Sequence, residues 1–241
     1  MDLKELENGI NPDVHWYYQS KKLPLFNYTK KTLKKADPLT IVDVGSGSGF
    51  FALELEKNFP AHINKVYMVD IGYTQEEMAA TKDAKIEKTH FIPPSISNSL
   101  VILMDVLEHL EDDLAMLQSI KKAATGGNNY FFITVPAFKS LWSGHDDYLG
   151  HYRRYKIATL GAVLKKAGFT TTNTYYLYGS LFPMVFAARK LDNLKKKEAT
   201  SNMKPFNKLT NSILLGVTSA EMKITSMNKM FGVTCVAEGI I

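Results

Sequence analysis

The segment TIVDVGSGSGF at residues 40–50 constrains the fold of this chain more than any other part of it. It begins with the β-branched residues Ile41, Val42 and Val44, which favour a buried strand over a helix. Three glycines follow at alternate positions, Gly45, Gly47 and Gly49. Apolar residues at helical spacing come directly after them. Strand, glycine turn and helix in this order form the first unit of a nucleotide-binding α/β sheet, because glycine permits close approach to a ligand and a helix start offers free N–H groups.

The spacing of the glycines indicates the kind of ligand. A dinucleotide fingerprint has the pattern GxGxxG, and Phe50 stands where that pattern requires its third glycine. A second predicted strand at residues 65–69 ends at Asp70, about 20 residues beyond the turn, where an acid accepts hydrogen bonds from ribose hydroxyls. The glycine turn, Asp43 and Asp70 therefore predict a nucleoside ligand without a pyrophosphate. The alternative is a tight turn that binds no ligand.

The composition is that of an ordinary globular chain. With 241 residues, of which 45% are hydrophobic and 22% charged, one domain with an elaboration is expected. A single cysteine, Cys235, excludes a disulfide framework and a thiolate zinc site, and makes a reducing cytoplasm the expected compartment. We expect neither a signal peptide nor a transmembrane helix, because the sequence has no apolar run of the required kind.

Charge is distributed unevenly along the chain. Residues 1–149 contain 15 Lys and Arg against 20 Asp and Glu, whereas residues 150–241 contain 14 against 4. This basic C-terminal part is compatible with an anionic acceptor, with nucleic acid or with peripheral contact to a membrane surface, and equally with a solvated lysine face. No RNA-binding signature accompanies the charge, so nucleic acid is not the expected partner.

Two further segments carry side chains suited to chemistry. The sequence DVLEHLEDD at residues 105–113 follows a continuous apolar run that predicts a buried strand. The loop AFKSLWSGHDDYLGHYRRY at residues 137–155 follows another predicted strand, and ligands bind at the carboxyl ends of strands in open α/β sheets. This loop either binds the acceptor or is held together by a structural Arg–Asp network.

Four segments together resemble a known family. They are HWYY at residues 15–18, DVGSGSG, MDVLEHLEDD and TVPAFKSLWSGHDDYLGHYRRY. The chain resembles class I S-adenosylmethionine-dependent methyltransferases over nearly its whole length, and more narrowly it is similar to bacterial methyltransferases associated with surface-polysaccharide biosynthesis. The resemblance implies a Rossmann-like α/β fold with seven strands, mostly parallel and the last antiparallel, and helices on both faces. It also implies methyl transfer to a hydroxyl group of a small or sugar-containing acceptor.

The resemblance also divides the chain. Residues 1–38 are expected to form an N-terminal helical extension, and residues 39–241 the methyltransferase domain. A helical insertion is expected at about residues 180–230, including a lysine run at 195–197. The aromatic residues of the extension either cover the cofactor as a lid or pack against the edge of the sheet.

Cofactor-binding residues follow from the same resemblance. The residues implied at the methionine end of the cofactor are Asp43, Gly45, Ser46, Gly47 and Gly49. Asp70 is implied at the ribose, and Asp105 and Val106 beneath the transferred methyl group. No acid follows the third predicted strand, where related enzymes bind the adenine amine, so adenine recognition is not assigned.

A hydroxyl acceptor requires a base, and histidine is suited to this near neutral pH. The candidates are His151 and His145, with His109 third. The predicted acceptor-binding residues are Trp16, Tyr17, Arg153, Arg154 and Tyr155. The two arginines could hold a phosphate or carboxylate, which makes an anionic acceptor one possibility. Asp146 and Asp147 are close enough in sequence to orient the arginines or a histidine.

A metal site is the alternative. The DxxEH sequence resembles the ExxEH of ubiquinone-biosynthesis and small-RNA end methyltransferases, whose acid and imidazole groups can hold a divalent metal. The corresponding ligands here are Asp105, Glu108, His109 and His151. The first three share one helix face if a helix begins at Asp105. Such ligands suit Mg, Mn or Zn. We favour the interpretation without metal, in which Glu108 and His109 orient the helix and touch the acceptor.

Three other functions remain as alternatives to methyl transfer to a small or sugar-containing acceptor. An NAD-dependent oxidoreductase requires the GxGxxG pattern. An RNA methyltransferase with a metal-assisted site would bind RNA on the basic part of the chain in a salt-dependent manner. A non-catalytic cofactor-binding partner protein would keep the glycine turn and tolerate loss of the loop histidines.

Overall fold

The computed structural model describes residues 9–81, 83–194 and 205–241. Residues 1–8 of the predicted extension and the lysine run at 195–197 lie outside these ranges. The first half contains α1 (Trp16–Leu33), β1 (Leu39–Val44), α2 (Phe50–Asn58), β2 (Ile63–Val69), α3 (Gln75–Ala79), β3 (Ile86–Thr89) and β4 (Ile96–Met104). The second half contains α4 (Asp113–Ala123), β5 (Ala124–Pro136), α5 (Gly144–Leu149), α6 (Ile157–Lys166), β6 (Thr170–Leu177), α7 (Phe182–Leu194), α8 (Lys208–Glu221) and β7 (Thr234–Ile240). Short 3-10 turns lie at Leu107–His109, Lys139–Leu141 and Thr225–Met227.

The strands form one seven-stranded sheet in the order β3-β2-β1-β4-β5-β7-β6. Strands β1 to β5 are parallel to their neighbours, and β7 is antiparallel to both β5 and β6. The strand order reverses between β1 and β4, which is where open α/β sheets bind ligands. This sheet confirms the predicted Rossmann-like fold.

Apolar side chains of the central strands alternate between two cores. Val42, Val101 and Ile133 contribute to one core, whereas their neighbours Ile41 and Ile102 contribute to the other. Helices α4 and α6 bury leucine side chains in the first core, and α1 and α2 bury theirs in the second. Burial on both faces explains why these strands read as continuous apolar runs in the sequence.

Helix α1 both packs on the sheet and reaches its ligand-binding edge. The Tyr28 hydroxyl donates to the carbonyl of Gly239 at 2.7 Å, which anchors the C-terminal half of α1. At the other end, the Asn211 side chain on α8 accepts from the Trp16 amide at 2.9 Å. The lid and sheet-packing interpretations of the aromatic group at residues 15–18 both stay predictions. A domain division at residue 38 stays a prediction.

The chain after β4 differs from the sequence-based expectation. No helix begins at Asp105, whose φ of 59° instead turns the backbone sharply. A short 3-10 turn at Leu107–His109 follows, and α4 begins only after Asp112. The Asp112 side chain accepts from the Ala115 amide at 2.9 Å and so caps the helix at this later point. Asp105, Glu108 and His109 consequently do not share one helix face.

Candidate functional site: two adjoining cavities

The glycine turn takes a backbone shape that other residues rarely adopt. All three of its glycines have positive φ, 71° at Gly45, 53° at Gly47 and 76° at Gly49. Added to Gly45, a Cβ atom would lie 2.7 Å from the Val106 side chain. Glycine is therefore required at position 45 for conformation and for space.

Asp70 closes the turn from the neighbouring strand. Its carboxylate accepts the Gly47 amide at 2.8 Å and the Gly72 amide at 2.9 Å. Each carboxylate oxygen has a second lone pair, so the group can still accept hydrogen bonds from a ligand. The Ser46 amide, by contrast, donates to the carbonyl of Val69 at 3.2 Å, and its hydroxyl lies 2.8 Å from the Tyr73 hydroxyl.

Two cavities meet at this turn. The first, of about 380 Å³, is lined by the predicted cofactor residues Asp43, Gly45, Ser46 and Asp105. The second, of about 880 Å³, is lined by the predicted residues Gly45, Asp70 and Val106. Gly47 and Gly49 are among the predicted cofactor residues but line neither cavity. A ligand with its nucleoside in the second cavity and its amino-acid end near Gly45 would contact most of the predicted residues.

The wall of the second cavity beyond β3 is largely apolar. It contains His90, Phe91 and Ile92 followed by two prolines. No acid follows β3 in the sequence, and residues 90–94 accordingly place no carboxylate on this wall. The His90 ring is held in place, since its Nε2 atom lies 2.7 Å from the carbonyl oxygen of Tyr73.

Asp105 lies at the centre of a buried cluster in the first cavity. Its carboxylate accepts from the Tyr17 hydroxyl and the Thr134 hydroxyl, each at 2.9 Å, and forms an ion pair with Lys21. The Lys21 ammonium group also donates to the Tyr17 hydroxyl at 2.8 Å, and the residue is 0% exposed. Burial alone would raise the pKa of Asp105, but Lys21 and the two hydroxyls outweigh it and hold that pKa below its usual value. The pKa of Tyr17 is raised by burial and by Asp105.

Sequence reasoning missed Lys21 and Thr134. Lys21 stands one helical turn after Tyr17, which the sequence had singled out, so helical spacing was the available signal. Thr134 had no comparable signal, because its position beside Asp105 depends on the pairing of β4 with β5. Together they explain why Asp105 is not available as a metal ligand beside Glu108.

Glu108, His109 and His151 converge between the two cavities. Their ligand atoms all lie within 4.8 Å of one another, and the two imidazole rings are 4.6 Å apart in an edge-to-face arrangement. Within the described ranges, both carboxylate oxygens of Glu108 and the Nε2 atoms of both histidines are buried without a hydrogen-bond partner. Burial and the nearby charge of Asp105 raise the pKa of Glu108 well above its usual value. Three of the four predicted metal ligands are therefore brought together.

Each of the two histidines is oriented through its other ring nitrogen. His151 Nδ1 lies 2.9 Å from Asp146 Oδ1, and the ring of His109 donates to the backbone carbonyl of Leu149. Burial, and secondarily the neighbouring His151, lower the pKa of His109 to about 4. With the protons on the outer nitrogens, both Nε2 lone pairs face the convergence point.

Asp146 connects the loop after β5 to helix α7. Its fully buried carboxylate accepts from the Arg154 Nε atom at 2.7 Å and from Arg189 at 3.0 Å, as well as from His151. Burial would raise the pKa of Asp146, but His151 and the two guanidinium groups hold it well below its usual value. Sequence reasoning expected Asp146 to orient an arginine or a histidine, and the structure places it against both. Arg189 lies in a segment whose sequence was difficult to interpret, and no local signal singled it out.

The remaining predicted acceptor residues of the loop have internal partners. Arg153 donates to the carbonyl of Glu111 and lies 3.2 Å from Asp113, and Arg154 also donates to the carbonyl of Ala137 at 2.9 Å. The buried Tyr155 hydroxyl donates to Asp113 at 2.6 Å. An anionic acceptor would have to displace these contacts. The placement corresponds to the structural Arg–Asp network that the sequence left open as the alternative.

Trp16, Tyr17 and His145 lie on the wall of the first cavity. Burial and the charge of Arg189 lower the pKa of His145 to about 4, so its ring is neutral at neutral pH. His151 lines the same cavity, whereas His109 lines the second.

The sheet order, the glycine turn with Asp70 beside it and the two adjoining cavities define a class I methyltransferase fold. A family model described as a methyltransferase domain matches residues 17–174, and the chain belongs to this family. It is an S-adenosylmethionine-dependent methyltransferase, and S-adenosylmethionine is its cofactor. An NAD-dependent oxidoreductase and an RNA methyltransferase are not favoured by these comparisons.

Solved structures give the same fold. The chain is 16% identical to an S-adenosylmethionine-dependent methyltransferase from Archaeoglobus fulgidus, with a TM-score of 0.56 and coverage of 99% of this chain and 98% of that one. A second such enzyme, from Mesorhizobium loti, is 13% identical with a TM-score of 0.55, covering 96% and 100%. Phosphoethanolamine N-methyltransferase 2 from Haemonchus contortus, in complex with S-adenosylmethionine, is 16% identical with a TM-score of 0.50, covering 85% and 49%. The comparison with curated proteins gives no match.

Proposed function

We propose that the enzyme transfers the methyl group of S-adenosylmethionine to a hydroxyl group of a small or sugar-containing acceptor whose reacting group enters the first cavity, with His151 as the base. The environment of His151 carries this proposal. The Nδ1–H group of His151 donates a hydrogen bond to Asp146 Oδ1 at an N–O distance of 2.9 Å, which leaves the lone pair on His151 Nε2. That Nε2 atom is buried on the cavity wall and has no hydrogen-bond partner among the residues described. An imidazole that is oriented by a carboxylate and has no protein partner on its second nitrogen is suited to accept a hydroxyl proton.

The protein's main contribution to the reaction is to align the acceptor oxygen with the methyl group of the cofactor. The acceptor oxygen forms a bond to the methyl carbon while the bond from that carbon to sulfur breaks, which releases S-adenosylhomocysteine. The hydroxyl proton passes to His151 Nε2, and Asp146 stabilises the resulting imidazolium. The sulfonium already activates the methyl group, so the cavity supplies orientation and exclusion of water.

The lining of the first cavity favours a largely neutral acceptor. Its aromatic side chains are Trp16, Tyr17, Tyr18, Phe51 and Phe206. Both arginines on the wall, Arg154 and Arg189, are already paired with Asp146. The buried Trp16 Nε1–H has no acceptor within the described parts of the chain, and a buried donor of this kind normally has a partner. A sugar ring, which stacks on aromatic side chains and carries oxygen acceptors, suits this lining.

A divalent cation is a second candidate for the same cluster, and the convergence of Glu108, His109 and His151 is the specific observation in its favour. These three side chains suit a cation. The pKa of the buried Glu108 carboxyl is raised, so a cation would stabilise its ionised form, and the two Nε2 atoms would gain a ligand for their lone pairs. Such ligands suit Mg, Mn or Zn rather than calcium alone, and the two imidazoles favour Mn or Zn among these. When bound, such a cation would act as a Lewis acid on the acceptor hydroxyl.

Two finer points also stay proposals. The narrower resemblance supports a glycan-type acceptor of the kind used in surface-polysaccharide biosynthesis. The single, unpaired thiol of Cys235 supports a cytoplasmic location.

The substitution His151→Gln tests the role of the base. Acceptors are first identified by thermal shift, with neutral glycosides and sugar nucleotides in the presence of S-adenosylhomocysteine. The variant should then transfer methyl groups on the order of 100-fold more slowly, with cofactor affinity unchanged. His62→Gln is the matched control, because this exposed histidine also pairs with an aspartate, Asp37. A variant that melts lower but keeps its activity per folded molecule would show that His151 is structural.

A further inference from the structure

The surface formed by α7, α8 and residues 223–231 exposes an unusual amount of apolar side chain. On α8, Leu209 is 72% exposed, and Ile213 and Val217 continue the same stripe at helical spacing. On α7, Met184 and Leu191 are exposed one above the other. In residues 223–231 the exposed apolar side chains are Ile224, Met227, Met230 and Phe231, of which Met227 is 80% exposed. Scattered apolar residues are ordinary on a protein surface, but a concentration in one region indicates a binding surface.

These three elements are neighbours and form one region, which we call the apolar platform. The rings of Phe182 on α7 and Phe231 lie 5.4 Å apart. At the end of α8, the Glu221 carboxylate accepts the Gly179 amide at 2.6 Å, just before α7 begins. The ends of the helices are thereby fixed to one another and to the segment that follows α8.

The exposed charges on the apolar platform are mainly positive. Three exposed lysines lie on its elements, Lys190, Lys208 and Lys223, and a fourth, Lys229, is exposed but donates to Asn173 and Thr174. The acidic Glu221 is engaged internally, because it also accepts from Ser180. Exposed apolar stripes flanked by lysines are typical of helices that lie on an anionic lipid surface, with the apolar side chains among the acyl chains and the lysines at the headgroups.

The apolar platform adjoins the first cavity. Val185, Ala188 and Arg189 of α7 line the cavity, and so does Phe206, just before α8. An enzyme resting on this surface would hold the cavity beside the membrane. None of the helices in the described residues is long and apolar enough to cross a bilayer.

We propose that the apolar platform docks on an anionic lipid membrane, and that the acceptor is a lipid-linked amphiphile whose polar group enters the first cavity. The proposal that the platform docks on a membrane is argued only from the exposed apolar side chains and lysines. The proposal about the acceptor also rests on the proposed function. Association with the bilayer would combine burial of the apolar stripes with attraction of the lysines to negative headgroups.

Vesicle flotation tests the docking step. The full chain is mixed with vesicles of phosphatidylcholine alone or with phosphatidylglycerol added. The wild-type protein should float with the anionic vesicles, and less so as salt is raised. The double substitution Leu209→Glu/Ile213→Glu should reduce binding by at least tenfold, because it places two carboxylates in the apolar stripe. The substitution Lys208→Gln/Lys223→Gln should weaken binding by roughly fivefold for each lysine removed.

Matched controls use residues away from the apolar platform. Ile240→Glu changes an exposed apolar residue at the C-terminal end of β7, and Lys165→Gln/Lys166→Gln removes two exposed lysines from α6. Both should bind vesicles as the wild type does. Absence of flotation, equal binding to neutral vesicles, or equal loss in the controls would overturn the proposal. So would a concentration-dependent dimer in light scattering that Leu209→Glu/Ile213→Glu converts to monomer, since a second copy would then cover the surface.

Binding of S-adenosylhomocysteine to each variant separates this result from the proposed function. A variant that binds S-adenosylhomocysteine with unchanged affinity but no longer floats with vesicles tests only the membrane-docking proposal. A wild-type protein that floats but transfers no methyl group to a hydroxyl would overturn the proposed function and leave docking standing.

Discussion

The Tyr17 hydroxyl donates a 2.9 Å hydrogen bond to Asp105, and through this bond helix α1 reaches the carboxyl end of strand β4. Lys21, one turn further along α1, forms an ion pair with the same carboxylate. The N-terminal helix thus contributes a buried charge to the cavity in which methyl transfer is proposed. Its position relative to the sheet is fixed by polar contacts as well as by packing.

Removal of Lys21 is expected to destabilise the protein strongly. In Lys21→Met the Asp105 carboxylate loses its buried counter-charge, which costs about 3 kcal/mol or more of unfolding free energy. Tyr17→Phe removes two hydrogen bonds, one donated to Asp105 and one accepted from Lys21, and should cost about 2 kcal/mol. Urea unfolding at neutral pH measures both changes. Lys30→Met, at an exposed position of the same helix, is the control and should be nearly neutral. Equal stability of Lys21→Met and Lys30→Met would show that the ion pair is not buried in solution.

Cofactor binding should depend on Asp70. Asp70→Asn keeps one oxygen acceptor and the size of the side chain but removes the charge, so binding of S-adenosylhomocysteine should weaken roughly 10- to 100-fold. Isothermal titration calorimetry measures the affinity. Asp37→Asn, at an exposed position, is the control. Gly45→Ala should lose binding altogether, because its Cβ would press on Val106. Unchanged affinity in Asp70→Asn, or binding of NADH to the wild type, would contradict the assignment of this cavity.

A divalent cation should raise the melting temperature if the cluster of Glu108, His109 and His151 holds one. The expected result with Mn²⁺ or Zn²⁺ is a saturable increase in the wild type, abolished by chelator and by Glu108→Gln. Glu111→Gln is the control, because this acid lies outside the cluster. Calorimetry with no heat of binding for either ion, together with undiminished turnover in chelator, would establish the interpretation without metal.

Stability should fall as pH is lowered from about 6.5 towards 4. Burial lowers the folded-state pKa of both His109 and His145 to about 4, below the value near 6.5 of an unfolded histidine. The unfolded state therefore binds more protons in this range, so the stabilisation present above pH 6.5 is lost as pH falls through the folded-state pKa. Melting temperatures at several pH values should fall less steeply in His109→Gln/His145→Gln than in the wild type. If the melting temperatures of the two proteins fall in parallel as pH is lowered, groups other than His109 and His145 cause the loss of stability at acidic pH.

Local features made the centre of the fold predictable. The glycine turn and Asp70 are set by backbone conformation and by the direction of two adjacent strands, which the short β-branched run and the glycine spacing indicate directly. The seven-stranded topology followed from the family resemblance that these motifs carried. Even the placement of Asp146 against His151 and Arg154 was accessible, because the three residues are close in sequence.

Contacts between distant segments were not predictable in the same way. Lys21 meets Asp105, and Arg189 meets Asp146, only after helices far apart in the sequence pack at the same edge of the sheet. A helical pattern could be extrapolated back to Asp105 because spacing alone does not show that Asp112 caps the helix later. The partners of Arg153, Glu111 and Asp113, likewise depend on tertiary packing, which decides whether its guanidinium group faces a ligand or the protein itself.

Gly45 and Leu149 line both cavities, so the nucleoside side and the acceptor side adjoin at these two residues. One molecule could therefore occupy both spaces. An adenosine group joined through a short linker to a sugar-like group would, once its first half has bound, present the second half at an effective concentration in roughly the millimolar range. For selective inhibition of this enzyme, the linker would have to pass position 45, where glycine adds no side chain and Val106 packs close to the backbone.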